Sequence, residues 1–161
     1  MSDSSAAERL ALQALSTGGT VSAEIEQQIR LRSTQLQNHR NQPNVHALVQ
    51  IFTPCAKFFD ADGRTIKGQR ELLEYLTVLL EYGTEREGPP INFLSTKLFS
   101  DAKESLVIYD VGEYNWSPIE NGRYVHKWIW TNDNFYLHHA YYKIDHLNAL
   151  FPMIDENAPN S

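Results

Sequence analysis

Apolar positions in this chain change period once, near Ile91. Before that point they recur at helical spacing: Ile25, Ile29 and Leu36, then Val45, Leu48, Val49 and Phe52, then Leu72, Leu76, Leu79 and Leu80. Steps of three and four residues put each set on one face of a helix. The first helix is expected to begin near Ser22. Glu24 and Glu26 fall in the turn where the helix dipole favours anions, and His39 and Arg40 at the end that favours cations. Pro43 suits the first position of a second helix, which Pro54 is expected to stop. Residues 55–59 and 64–67 read as a strand pair around an Asp62-Gly63 turn. Residues 69–82 form the clearest helix, with Gly83 as its left-handed terminator, and 84–90 read as an exposed loop.

Beyond Ile91 the period is two, over 92–99, 104–116, 123–131 and 135–144, with turns at 100–101, 117–122 and 132–134. Helices first and a meander afterwards define an α+β fold, with N-terminal helices packed on one face of a curved antiparallel sheet. Residues 1–20 read as a flexible arm, 21–150 as the folded roll and 151–161 as a polar tail.

Composition narrows the function classes. The chain has 161 residues, 42% of them apolar, enough for one domain with a proper core. Its net charge of -6 disfavours a nucleic-acid partner, which needs a basic surface. No apolar run is long enough for a membrane span, and the N-terminus lacks the basic and apolar regions of a secretory signal. The single cysteine, Cys55, permits no internal disulfide, so the expected compartment is cytoplasmic.

The richest chemistry lies in the last hairpin, GRYVHKWIWTNDNFYLHHAYYKID. Tyr124, His126, Trp128, Trp130, Tyr136, His138, His139, Tyr141 and Tyr142 crowd into it. Rings with polar tips line pockets that are both apolar and chemically specific. Which of them share a face depends on register, because a slip of one residue reverses every side chain. A three-residue loop pairs Thr131 with Phe135, His126 with Ala140 and Tyr124 with Tyr142. A two-residue loop instead sets His126 opposite His139 and Trp128 opposite Leu137. His138 and His139 are neighbours on a strand and are expected on opposite faces.

Order and local motifs together resemble the SnoaL-like branch of the nuclear-transport-factor-2-like superfamily, a cone-shaped α+β roll. The matching pieces are the two early helices, FTPCAKFFDADGRTIKG before the long helix, YDVGEY, NGRYVHKW and NDNFYLHHAYY, which together cover residues 22–145. Asp133-Asn134 stands where the family's last hairpin usually carries Asp-Gly, and Asn tolerates a left-handed position. The resemblance favours the three-residue loop, and it implies functional polar groups at Asp110, His126 and Tyr142. The candidate catalytic set is thus Asp110, His126, His138 and Tyr142, walled by Tyr114, Tyr124, Trp128 and Tyr136. A buried Asp110 needs a donor such as His126, or a raised pKa, and either suits proton transfer. Tyr142 is the expected donor to a developing enolate oxygen.

Two histidines and Asp110 invite comparison with a two-His-one-carboxylate metal triad, but no ligand spacing supports it, so no metal or cofactor is expected. No glycine-rich phosphate loop, G-x-S-x-G or H-E-x-x-H occurs. The resulting expectation is a cofactor-free isomerase, dehydratase or cyclase of a small hydrophobic molecule. The alternatives are a non-catalytic binding or dimerisation module and a structural protein with a filled cone. The resemblance also implies a homodimer, with Phe135 and Tyr141 on the sheet's outer face offering an apolar patch.

Overall fold

The computed structural model describes residues 19–42, 44–85, 90–101, 103–104, 106–116 and 120–144. Residues 1–18 of the expected arm, the polar tail, Pro43 and residues 86–89 and 117–119 of the expected loops lie outside them. Among the described residues the order is α1 (Ala23–Asn41), α2 (Val45–Gln50), β1 (Phe52–Phe59), β2 (Thr65–Lys67), α3 (Gly68–Glu85), β3 (Asn92–Ser100), β4 (Val107–Trp116), β5 (Glu120–Thr131) and β6 (Asn134–Ile144).

Ser22 caps α1 by accepting from the Ile25 amide at 3.2 Å, and Asn44 caps α2 through the Ala47 amide at 3.1 Å. The apolar stripes hold: Ile29, Leu36, Leu48, Leu72, Leu76 and Leu80 are buried against the concave side of the sheet. Several boundaries differ from expectation. β4 opens at Val107 and β5 at Glu120, inside the turn expected over 117–122. Two further differences involve the helices. α3 runs on through Gly83 to Glu85, so that glycine does not end it. Phe52 opens β1 instead of closing α2, and Pro54 sits inside the strand. There the register against β6 shifts between Phe52 and Lys57, and Pro54 and Cys55 are exposed. A bulged segment tolerates a residue with no amide proton.

The sheet is six-stranded, in the order β2-β1-β6-β5-β4-β3. Its second half is the expected antiparallel meander, but β1 pairs with β6 in parallel, so the sheet is mixed. Three side chains clamp α1 to it. Asn41 exchanges two hydrogen bonds with the Ile91 backbone, both 2.9 Å; Gln37 accepts from the Phe93 amide at 2.9 Å; Arg32 donates to the Phe135 carbonyl at 2.7 Å.

The last hairpin combines both registers weighed for it. Asn132 and Asp133 take positive φ (50° and 62°) in a two-residue loop, so Thr131 pairs with Asn134 and Trp128 with Leu137. A register shift beyond Trp128 then restores the other alignment, pairing His126 with Ala140 and Tyr124 with Tyr142. The extra residue expected at the turn is instead His138, within the strand. This displacement has two consequences. His138 and His139 do not point apart but stack, with centroids 4.6 Å apart. Phe135 and Tyr141 do not share a face: Phe135 is buried in the inner cluster and Tyr141 in the outer one, with Tyr109, Val111 and Val125. The expected Phe135–Tyr141 patch is therefore absent.

Candidate functional site

Polar side chains on the concave face gather in two groups. The first lies at one end, where α1 finishes, β1 finishes, β5 begins and β6 finishes. Arg40, Asp60, Tyr75, Tyr114, Glu120 and Tyr142 converge there around a small inner hollow. Tyr75 donates its hydroxyl to Asp60 Oδ2, and Tyr114 donates to Glu120 Oε2. The Arg40 guanidinium lies over the Trp116 ring, 5.1 Å from its centroid, and its charge opposes the burial that raises the Tyr142 phenol. Burial raises the Glu120 carboxyl above its usual range, although the Tyr114 bond opposes this. Burial and the adjoining carboxylates push the Tyr75 and Tyr114 phenols upward, so both stay protonated donors. Sharing Asp60, Tyr75, Leu79, Trp116 and Glu120 as walls is an outer hollow of about 570 Å³. That volume is within the range of small-molecule sites.

The second group is dry. Asp110 and His126 are cross-strand partners, both fully buried on the concave face, but they are not bonded to each other. Asp110 accepts from Ser95 Oγ at 2.5 Å and from the Tyr124 hydroxyl at 3.2 Å. Desolvation raises its pKa to about 6 against the pull of those two donors. Two local features make this arrangement possible. A register shift in β3 between Ser95 and Lys97 bends the strand beside Ser95. Gly112 leaves room that no other residue could: a Cβ there would stand 2.3 Å from the Leu94 carbonyl oxygen and 2.8 Å from the Tyr124 hydroxyl. Asp110 lines a cleft of about 180 Å³ between α1 and β3.

His126 links the two groups through its Nε2, 2.9 Å from the Tyr142 hydroxyl. Its Nδ1 is buried without a hydrogen-bond partner. Burial, helped by Arg40, lowers the His126 pKa to about 3, so the ring is neutral.

The remaining expected site residues are scattered. Tyr114 and Tyr142 reach the open end, while Trp128 is fully buried with its indole N–H unpartnered. Tyr124 belongs to the Asp110 group, and Tyr136 lies under the Arg32 guanidinium, 5.0 Å from it. His138 stands apart from the others, its Nδ1 2.8 Å from Thr53 Oγ1. Arg40, Asp60, Tyr75, Glu120 and Ser95 were not singled out from the sequence. One signal was available: Tyr75 is a polar-tipped ring placed among the apolar stripe of α3. Among the described residues no group of three or more His, Cys, Asp or Glu is arranged to hold a metal ion, and no helix is long and apolar enough to cross a membrane.

No family model and no curated protein matches the chain in sequence. Solved structures do match in shape. A Nostoc punctiforme domain of unknown function with a cystatin-like fold superposes with TM-score 0.65 at 11% identity, covering 86% of this chain and 90% of that one. A proposed dehydratase of the NTF2-like family from Streptomyces avermitilis gives 0.58 at 12% identity, covering 73% and 94%. A proposed aromatic ring hydroxylase from Novosphingobium aromaticivorans gives 0.61 at 13%, covering 78% and 92%. The chain thus has the NTF2-like, cystatin-like α+β roll. At these identities the likeness establishes the fold alone.

Proposed function

We propose that the protein is a cofactor-free acid/base enzyme of SnoaL-like type, acting on a small, largely apolar carbonyl compound at the open end of the cone. The observation that carries this reading is convergence. A carboxyl raised by burial, Glu120, and a phenol backed by a guanidinium, Tyr142 with Arg40, line one hollow that adjoins a larger space. Glu120 takes a proton from the carbon beside the carbonyl. Tyr142 and Arg40 stabilise the oxygen as negative charge develops there. Return of the proton at another carbon is isomerisation; loss of a leaving group is dehydration; attack within the molecule is cyclisation. Tyr114 orients Glu120, and the Asp60–Tyr75 pair completes the wall.

A second reading keeps the proton-transfer role on Asp110 in the smaller cleft, favoured by its pKa near 6. Solvent-deuterium incorporation at the α-carbon of a panel of aryl ketones separates the two. Glu120→Gln is expected to lower exchange about 10²–10⁴-fold with affinity nearly kept, while Asp110→Asn changes it little. The reverse pattern would hand the role to Asp110. Binding with no exchange in the unmodified protein would make it a ligand-binding module. Self-association through the outer face stays part of this reading, and gel filtration of the 18.5 kDa chain checks it.

A further inference from the structure

We infer that the molecule held at the open end is an organic cation: an amine or quaternary ammonium joined through an apolar body to the carbonyl that Tyr142 and Arg40 receive. This deepens the proposed function and rests on it. The inner and outer hollows together are lined by the carboxylates Asp60, Asp62, Glu71, Glu74 and Glu120 and by the guanidiniums Arg40 and Arg64. Five lining acids against two lining bases, with Arg70 3.9 Å from Glu74 at the rim, leave a formal excess of two negative charges around one open-mouthed hollow. A concavity of one sign concentrates ligands of the other.

The walls between those charges are aromatic and aliphatic: Tyr75, Tyr82 and Trp116, with Val78, Leu79 and Ile66. Ring faces attract cations, most strongly where water is thin. At this end of the cone the protein already makes this contact twice with its own side chains. The Arg40 guanidinium sits on Trp116 at the inner end. At the outer end Arg64 lies over Tyr75, 5.2 Å from its centroid, beside Asp60 and Asp62. Arg64 differs from Arg40 in being loosely held. Its carboxylate contacts are 3.5 and 3.7 Å and its side chain is 65% exposed, so a ligand cation can replace it. Arg40 is half-buried on Trp116 at the inner end and stays. The division of labour follows: the inner end takes the carbonyl oxygen, the outer end takes the positive charge, and the aliphatic wall takes what joins them.

Titration calorimetry on the full chain tests this with 2-phenylethylammonium, 2-phenylethanol and 3-phenylpropionate, which share a ring and differ in charge. The ammonium is expected to bind at least about tenfold tighter than the alcohol, weakening as salt rises, with the carboxylate bound weakest. Glu71→Gln and Glu74→Gln, in the rim proposed to attract the charge and away from Glu120 and Tyr142, should each weaken the ammonium about twofold to threefold and leave the alcohol unchanged. Equal binding of ammonium and alcohol, or tighter binding of the carboxylate, overturns the cation assignment while leaving the hollow as the ligand site. Failure of all three probes to bind, with aryl ketones also unbound, overturns the site itself.

Discussion

Tyr114 and Tyr124 do the same thing in different surroundings. Each donates a phenolic hydroxyl to a carboxylate on the concave face: Tyr114 to Glu120 at the open end, Tyr124 to Asp110 in the interior. Glu120 borders both hollows of that end, whereas Asp110 is fully buried beneath Ser95, Tyr124 and the rim of a much smaller cleft. Burial raises both carboxyls. A raised carboxyl beside open space can exchange its proton with a bound molecule. Asp110, held by two hydroxyls, faces only the smaller cleft between α1 and β3. Perturbed titration is shared by both carboxyls, so under the proposed function the adjoining volume is what distinguishes them.

The largest effect on the interior group is expected from Gly112→Ala. The added Cβ meets backbone on β3, which has no side-chain freedom to yield, and it pushes Tyr124 from Asp110. A loss of about 3 kcal/mol is expected, seen as a fall of several degrees in melting temperature, whereas a change under about 0.5 kcal/mol would mean that β3 and β4 are not tightly apposed.

The interior group also carries two opposed pH dependences. Asp110 titrates near 6 when folded, above its unfolded value, so its contribution declines as pH rises from about 4 to about 6. His126 titrates near 3 when folded, below its unfolded value, so its contribution declines as pH falls from about 6.5 toward 3. Each alone gives a slope of up to about 1.4 kcal/mol per pH unit, and between pH 4 and 6 they offset. Denaturant unfolding of Asp110→Asn should therefore show a steeper loss toward acid than the unmodified protein, and His126→Gln a reversed slope. Parallel profiles in all three proteins would remove both assignments.

A smaller effect is expected where the two groups join. Tyr142→Phe takes away the hydroxyl that lies 2.9 Å from His126 Nε2, costing about 1–2 kcal/mol in chemical denaturation. His126 Nε2 is then also unpartnered. Under the proposed function the same substitution slows exchange without displacing Glu120.

Much of this architecture was legible in the chain. Helical stripes, caps and strand alternation located every described element to within a few residues, because burial of one face imposes its period on the sequence. The resemblance led to the right roll. Two things were not legible. The parallel pairing of β1 with β6 brings together residues some eighty positions apart, and no local pattern encodes it. The bulge at His138 was foreseen as an extra residue in the hairpin but placed at the turn, since Asn132 and Asp133 both tolerate positive φ and make the tighter loop possible. Moving it from the turn to position 138 sent His138 to Thr53 and Phe135 to the inner cluster. The open-end group escaped notice for a related reason. Arg40, Asp60, Tyr75 and Glu120 come from four separate elements and meet only once the roll has closed. By contrast, Asp110, His126 and Tyr142 lie on adjacent strands, where alternation alone groups them.

One measurement bears most directly on the claim that the working site is the open end: α-carbon deuterium exchange of a bound aryl ketone by Glu120→Gln and Asp110→Asn, each first shown to be folded. The account predicts near-complete loss of exchange in Glu120→Gln and retention within a few-fold in Asp110→Asn. Exchange that survives the first substitution and vanishes with the second would contradict it.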